Sequence, residues 1–314
     1  MDSAADLLIA PDAAGIARAA KVLRDGGLVA VPTETVYGLA ARADSAEAVA
    51  RIYRAKGRPD FNPLIVHVAS LDAARALARF DERALALAAR FWPGPLTLVL
   101  PALAGSPIAP AVSAGLPTIA LRQPAHPVMA QLLAAVGVPL AAPSANRSLG
   151  VSPTRPEHVM ASLGEASPPV LDGGACKQGL ESTIVALRED GAWNLLRPGP
   201  VPKEAVESIV GPESAASGTE IEAPGQMRKH YSPGKPVRLD ASDPAPGEFL
   251  IGFGKVTGAL SLSPSGDLAE AAARLYACLH EAAAAPEPGI AVAAIPAAGM
   301  GAAINDRLRR AAAL

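Results

Sequence analysis

Pro32-Thr33-Glu34-Thr35-Val36-Tyr37-Gly38 follows the short apolar run 28–31, and Lys56-Gly57-Arg58-Pro59-Asp60-Phe61-Asn62-Pro63 leads into a second apolar run at 64–68. Helical periodicity over residues 44–55 predicts a helix between the two polar segments. Short apolar runs bounded by Gly and Pro, with a helix between them, are typical of a βαβ unit. The stretch therefore predicts an α/β fold.

The polar residues of this stretch predict a ligand site. In a βαβ unit the loops after the strands share one sheet edge, where open α/β folds bind ligands, so we expect Thr35 and His67 beside one crevice. Lys56 and Arg58 stand two residues apart in a Gly/Pro loop, a spacing that points both side chains the same way on an extended chain. Two convergent cations without an acidic neighbour suit a polyanion such as a triphosphate. A solvated basic loop is the alternative interpretation.

Composition narrows the class of protein. The 314 residues are long enough for about two domains, half of them are apolar, and the net charge of −2 argues against a protein that coats nucleic acid electrostatically. Cys176 and Cys278 lie far apart without metal-type spacing, which fits a reducing compartment. Residues 1–6 are acidic rather than basic, so we expect no signal peptide, and no apolar run approaches the ~20 residues of a membrane span. We expect a cytoplasmic protein with no membrane association.

The rest of the chain alternates predicted strands and helices. Strands are predicted at 96–100, 118–122, 138–142, 179–185 and 193–196, and helices at 12–24, from Ser70, from Asp81, at 127–136 and at 202–210. Residues 211–234 are rich in Gly, Pro, Ser and Glu without apolar periodicity, and are predicted to be a linker. A second, smaller α/β unit is predicted from strands at 236–239, 248–253 and 289–296 and helices at 268–284 and 302–313.

Common nucleotide and hydrolase motifs are absent from the sequence. There is no Gly-x-x-x-x-Gly-Lys-[Ser/Thr] loop and no Gly-x-Gly-x-x-Gly after the first strand. The five histidines form no His-x-x-x-His pair, so zinc is not expected. Ser144 does not lie in a Gly-x-Ser-x-Gly elbow, which weakens a hydrolase interpretation.

Six segments, in order, resemble the YrdC-type threonylcarbamoyl-AMP synthases. They are Pro32-Thr33-Glu34-Thr35-Val36-Tyr37-Gly38-Leu39, Lys56-Gly57-Arg58-Pro59, Asn62-Pro63-Leu64-Ile65-Val66-His67, Ala142-Pro143-Ser144-Ala145-Asn146, Glu181-Ser182-Thr183-Ile184-Val185 and Leu196-Arg197-Pro198-Gly199. Lys-x-Arg followed by Ser-x-Asn is that family's signature. His230-Tyr231-Ser232-Pro233 and the appended unit resemble the two-domain branch, whereas Asp60-Phe61 departs from the more polar pair expected before Asn62.

The resemblance implies a fold and a reaction. The fold is a twisted mixed sheet with flanking helices and a large open cavity (1–210), a linker (211–234) and a smaller Rossmann-like α/β domain (235–314). The reaction is nucleotidyl transfer, in which L-threonine, bicarbonate and ATP give threonylcarbamoyl-AMP and pyrophosphate for N6-threonylcarbamoyladenosine at tRNA position 37. A carbamate oxygen attacks the α-phosphate, so the protein mainly positions and neutralises anions.

The resemblance also implies partners. Mg²⁺ enters with ATP, and no tightly bound, protein-ligated metal is expected. A downstream tRNA threonylcarbamoyl transferase machinery takes the product, and a weak tRNA contact is compatible with this role.

The family's pattern assigns residues to each substrate. Threonine is placed among Thr35, His67, Arg122, Ala142 and Ser182, with Arg122 a natural fork for the carboxylate. ATP is placed among Lys56, Arg58, Asn62, Thr118, Ser144, Ser152, Arg197 and Tyr231. The residues that the pattern assigns to the reacting groups are Lys56, Arg58, Ser144 and Asn146. Tyr231 with its basic neighbours is hypothesised to form a lid.

Several alternatives stay open from the sequence. His67 alone on an apolar strand is more often a core histidine, Arg197 suits a surface cation, and Glu34 and Glu181 are each either a general base or structural. An RNA-binding module and a non-catalytic sensor of nucleotide or amino acid are the rival functions.

Overall fold

The computed structural model of the protein describes residues 7–59, 61–215, 222–226 and 230–313. The acidic N-terminal residues 1–6, Asp60, and Met227-Arg228-Lys229 of the linker cluster lie outside the described residues.

Helices and strands alternate along the described chain. The helices are α1 (Ala13–Arg24), α2 (Ala46–Lys56), α3 (Leu71–Arg75), α4 (Glu82–Phe91), α5 (Pro110–Ser113), α6 (Pro127–Val136), α7 (Pro156–Leu163), α8 (Lys203–Val210), α9 (Leu268–Ala284) and α10 (Met300–Ala311), with a 3₁₀ turn at Gly164–Ala166. The strands are β1 (Leu8–Ile9), β2 (Val29–Val31), β3 (Gly38–Arg42), β4 (Ile65–His67), β5 (Leu96–Pro101), β6 (Thr118–Arg122), β7 (Leu140–Ala141), β8 (Val170–Leu171), β9 (Thr183–Leu187), β10 (Trp193–Arg197), β11 (Val237–Arg238), β12 (Glu248–Gly252), β13 (Leu260–Ser261) and β14 (Gly289–Val292).

Two sheets organise these elements, and the predicted α/β class is confirmed. The larger has ten strands in the order β1-β8-β2-β3-β7-β4-β6-β5-β9-β10. It is mixed, because β4 pairs with β6 in parallel and with β7 antiparallel. The smaller has the order β11-β14-β12-β13, and all its pairs are parallel. The division at 210 and 234 stays a prediction, although each sheet lies within one of the two proposed domains.

The predicted βαβ unit is wrong. Strand β3, which the sequence patterns missed, pairs antiparallel with β2. It also pairs antiparallel with β7, which in turn pairs antiparallel with β4. Strands β2 and β4 therefore run in opposite directions, and the loops that follow them leave opposite edges of the sheet. The segment Leu39-Ala40-Ala41 was not recognised as a strand because it lacks the β-branched and aromatic residues that mark strands.

The helix that precedes the Lys-x-Arg segment shows that a second prediction is wrong, namely that Lys56 and Arg58 lie on an extended chain. Its N-cap is Ser45, whose side chain accepts from the backbone N–H of Ala48, and Gly57 ends it in the left-handed conformation at φ 58°. Lys56 is thus the last residue of α2. The two cations therefore do not lie on an extended chain, and their side chains contact different parts of the protein.

Both faces of the large sheet are covered. Along β2, Val29 and Val31 belong to a core cluster that includes Ile16 of α1 and Leu132 of α6. Ala30 belongs to the cluster on the opposite face. This alternation is the period-two pattern of a strand buried on both sides.

A continuous apolar core joins the two sheets. Val36, Val151 and Leu180 of the larger unit cluster with Leu275 and Tyr276 of α9. The linker residue Tyr231 belongs to the same cluster. The second unit is therefore packed against the first rather than tethered to it. In the described part of the chain, no helix combines the length and the apolar character that crossing a bilayer requires.

Candidate active site

A small cavity brings together residues from β3, β4, β6 and β10, from the segment that follows β7, and from the linker. It has a volume of about 40 Å³, and nine of the predicted site residues line it: Thr35, Arg58, His67, Arg122, Ala142, Ser144, Ser182, Arg197 and Tyr231. Ile65 and His67 both line it because residues two apart on a strand share a face. The site therefore lies over a face of the sheet, not in the edge crevice that the βαβ prediction required.

The expected large open cavity is a small hollow in this structure. Pro224, Gly225, His230 and Tyr231 of the linker segment form part of its lining. A volume of about 40 Å³ is room for a few water molecules, since one water needs roughly 10–15 Å³ of such space. The hollow is therefore too small for an amino acid or a nucleotide.

Arg122 ends β6 inside the cavity, and three acceptors hold its guanidinium. Its Nη2 lies 2.6 Å from Oε1 of Glu34. Its Nη1 donates to Oγ1 of Thr35 at 2.9 Å, and its Nε donates to the carbonyl of Gly94 at 3.1 Å. Arg122, which is predicted to bind the carboxylate of the substrate, is therefore already paired with the carboxylate of Glu34.

His67 is a neutral imidazole in this site. Burial lowers its pKa to about 3, and the nearby charge of Arg122 acts in the same direction. Since the side chain lines the cavity, it is not the plain core histidine of the alternative interpretation.

Arg58 supplies a buried positive charge. Its Nε donates to the carbonyl of Asn62 at 3.2 Å, and its Nη2 donates to the carbonyl of Pro63 at 2.9 Å. Burial lowers its pKa to about 10, and Arg197 also lowers it, so the group stays charged at neutral pH. Carbonyl partners leave that charge available to an anionic ligand.

Lys56 forms hydrogen bonds with the main chain of the Ser-x-Asn turn (144–146) and does not line the cavity. Its Nζ donates to the carbonyls of Ser144 at 2.6 Å and Asn146 at 2.5 Å. Burial, and secondarily Arg58, lowers its pKa well below the ordinary value. The alternative of a solvated basic loop is wrong, because Lys56 and Arg58 are 3% and 9% exposed.

Three further predicted residues, Asn146, Asn62 and Thr118, do not line the cavity. Asn146 donates from Nδ2 to the carbonyls of Arg147 at 2.8 Å and Gly150 at 2.9 Å. Asn62 is buried beside Arg58. Thr118 begins β6, at the opposite end of that strand from Arg122, so the structure does not bring it to the cavity.

Glu181 is the centre of a buried polar network. Ser152 Oγ donates to its Oε1 at 2.6 Å, while Tyr276 Oη and Arg307 Nε each donate to its Oε2 at 2.8 Å. Burial raises the pKa of Glu181, but Arg307, Arg197 and the donated hydrogen bonds outweigh burial and bring the pKa to about 2. Three side chains thus hold this carboxylate in place, which favours a structural role for Glu181.

Arg197 ties the end of β10 to the linker. Its Nε and Nη2 donate to the carbonyl and Oγ of Ser182 at 3.0 and 3.1 Å, and its Nη1 donates to the carbonyl of Pro224 at 3.3 Å. The side chain is buried, which rules out the surface-cation interpretation.

Tyr231 closes the cavity from the linker. The residue is 1% exposed, and its backbone φ is 63°. It stacks on Tyr276 with ring centroids 5.6 Å apart, and the guanidinium of Arg307 lies 5.3 Å from its centroid. The linker is therefore clamped between the cavity and the C-terminal unit.

The sequence analysis missed Arg307 and Tyr276, which reach this site from the second unit. A signal for Arg307 exists in α10. It stands three residues after Ile304 and four before Ala311, both buried, so helical spacing places it on the apolar face.

Comparisons with known proteins agree with this fold. Residues 21–199 match the Sua5_yciO_yrdC family, described as telomere recombination, and residues 201–313 match a family described as the C-terminal domain of threonylcarbamoyl-AMP synthase. The threonylcarbamoyl-AMP synthase of Bacillus subtilis is 43% identical over 242 residues, covering 75% of this chain and 69% of that protein. The threonylcarbamoyl-AMP synthase of Pyrococcus abyssi is 45% identical over 229 residues, covering 70% and 66%.

A solved structure shows the same two-unit arrangement. The crystal structure of P. abyssi Sua5 complexed with L-threonine superimposes with a TM-score of 0.89 at 35% identity, and the match covers 97% of each chain. Fold and site together define a two-unit α/β protein with a buried cationic ligand site. The chain belongs to the Sua5/YciO/YrdC family and to its two-domain type.

Proposed function

We infer that the chain is an L-threonylcarbamoyladenylate synthase, which converts L-threonine, bicarbonate and ATP to threonylcarbamoyl-AMP and pyrophosphate. The observation that supports this function is a single cavity whose two ends differ in chemistry. Arg122, Thr35 and His67 form an end suited to an amino acid, and Arg58 and Arg197 add buried positive charge beside it. The relatives named for this activity support the assignment.

The residues act by binding and orientation. Arg122 binds the threonine carboxylate, and Thr35 and Ser182 supply hydroxyl groups at the same end. Arg58 and Arg197 bind phosphate oxygens, while Lys56 holds the Ser144–Asn146 turn against the reacting groups. Threonine's amine attacks the carbon of bicarbonate and water leaves, which gives a carbamate; a carbamate oxygen then attacks the α-phosphate, and pyrophosphate leaves. Proximity and charge neutralisation carry this step without a protein nucleophile.

Mg²⁺ belongs in this scheme to the nucleotide and not to the protein. Among the described residues, no group of three His, Cys, Asp or Glu side chains is arranged to hold a metal ion. Glu34 and Glu181, the carboxylates beside the cavity, are both committed to arginines.

The linker segment serves as a lid. Ligand sites typically have volumes of roughly 300–1,000 Å³, so ATP enters only after Tyr231 and Gly225 move away. Cutting the chain before Gly225 would be a poor test, because the cut also exposes Val36 and Leu180 of the shared core. Tyr231→Ala in the full chain is the sharper test, and unchanged adenylate formation would remove the lid.

Omission experiments test the function. Pyrophosphate release from ATP should require both threonine and bicarbonate, and leaving out either should abolish it. Tight, steeply salt-dependent tRNA binding without turnover would instead support the RNA-binding module. Ligand binding without pyrophosphate release would support the sensor. A cytoplasmic location and transfer of the product to a tRNA-modifying partner are part of the same proposal.

A further inference from the structure

The ion pair between Arg122 and Glu34 is buried on both sides. The two side chains are 4% and 8% exposed, and Nη2 lies 2.6 Å from Oε1. Because Thr35 and Gly94 take the other two described contacts of the guanidinium, Arg122 keeps two N–H groups for a ligand out of the five that a guanidinium carries.

The carboxylate of Glu34 contacts Arg122 and does not itself line the cavity. Arg122 lines the cavity, whereas Glu34 lines a separate outer cleft of about 540 Å³ together with His126 and Lys177. Glu34 therefore lies between the cavity and the outer cleft. Its carboxylate is a countercharge held behind the arginine that lines the cavity.

The net charge of this end of the cavity follows from the pair. Arg122 and Glu34 sum to zero, and the neighbouring His67 is neutral. A zwitterionic amino acid also has zero net charge, so its binding leaves a buried region neutral. A hydroxy acid of the same shape carries a net charge of −1, and burying an uncompensated charge is costly.

We propose that Glu34 is a specificity-determining residue: by neutralising Arg122, it makes the amino-acid end of the cavity select a zwitterionic amino acid over the corresponding hydroxy acid anion. The proposal rests on the proposed function, since it takes Arg122 as the carboxylate ligand. Glu34 is a positioning and charge-setting group and touches no reacting atom.

Binding of two ligands to the full chain tests this. The probes are L-threonine and 2,3-dihydroxybutanoate, in which a hydroxyl replaces the ammonium group. Wild type should prefer threonine. Glu34→Gln keeps the shape and leaves Arg122 with an uncompensated charge, so the ratio of the two dissociation constants should shift toward the hydroxy acid by about tenfold or more. A merely structural loss would weaken both ligands together and leave the ratio unchanged.

Two further variants control the test. Glu34→Asp keeps the charge and should keep the wild-type ratio within about twofold, which preserves a test should Glu34→Gln fail to fold. Glu47→Gln removes an exposed carboxylate that pairs with Arg51, and it should change nothing. An unchanged ratio in Glu34→Gln, or a lost preference in Glu34→Asp, would overturn the proposal. Absence of threonine-dependent pyrophosphate release in wild type would instead refute the underlying function.

Discussion

Arg307 of α10 donates from Nε to Oε2 of Glu181 at 2.8 Å, from the C-terminal unit into the wall of the cavity. The same guanidinium donates from Nη2 to the carbonyl of Pro198 at 3.0 Å and covers the ring of Tyr231. One side chain of the second unit thus contacts the cavity wall, the end of β10 and the linker. The C-terminal unit is part of the site's scaffold.

Removing Arg307 should destabilise the whole chain. Arg307→Ala leaves the buried carboxylate of Glu181 without its cation, and breaking a buried pair in this way costs about 3–5 kcal/mol. Equilibrium denaturant unfolding measures the loss. Arg274→Ala is the matched control, because that arginine lies 3.9 Å from Glu270 with 46% of its side chain exposed, and it should unfold like wild type. Equal stability of the two variants would contradict the network.

Lys56→Ala should lose both stability and activity. Lys56 is buried and donates to two carbonyls of the Ser-x-Asn turn. Leaving those carbonyls unpaired should cost about 2 kcal/mol or more. Thermal unfolding and pyrophosphate release report the two effects. Lys21→Ala, at an exposed ion pair with Asp25, is the control, and a wild-type melting curve for Lys56→Ala would refute this role.

His67 should make stability fall as pH falls. Its pKa is lowered from 6.5 to about 3 in the folded chain, so below pH 6.5 the unfolded chain binds a proton that the folded chain does not. Between pH 7 and pH 5 this should cost wild type about 2 kcal/mol. Chemical unfolding of His67→Gln across the same range should show a shallower decline than wild type. Parallel declines would mean that His67 takes up a proton in the folded state.

Gly179→Ala should weaken the packing of the two units. A Cβ at this position would lie 2.5 Å from the Cα of Ala273 in α9, and the backbone has a φ of 65°. Gly137→Ala is the control, since φ there is 77° but no atom lies within 4 Å of the added Cβ. Both variants carry the backbone strain, on the order of 1 kcal/mol. Calorimetry should show a larger loss for Gly179→Ala, and equal losses would exclude close packing against α9.

Strong local signals made much of the fold predictable. Helices Pro127–Val136 and Leu268–Ala284 and strand Thr118–Arg122 have their predicted bounds. Their periodicity and their flanking Gly, Pro or Asp residues agree with each other. Strand direction was not predictable in the same way, because β3 and β7 obtain their partners from tertiary pairing and are short or rich in alanine.

The site was predictable in its residue types and less so in its connections. The Lys-x-Arg and Ser-x-Asn segments do meet, but Lys56 contacts the turn's main chain and not the cavity. The pairing of Arg122 with Glu34 joins residues 88 positions apart along the chain, counted from their residue numbers. Spacing along a chain carries no information on such contacts until the sheet order is known.

Mass spectrometry of the product formed from ¹³C-labelled bicarbonate tests the central claim most directly. With L-threonine, ATP and Mg²⁺, the account predicts an adenylate that contains threonine, AMP and one labelled carbon, formed together with pyrophosphate. Unlabelled threonyl-adenylate, or ADP and phosphate in place of AMP and pyrophosphate, would contradict it.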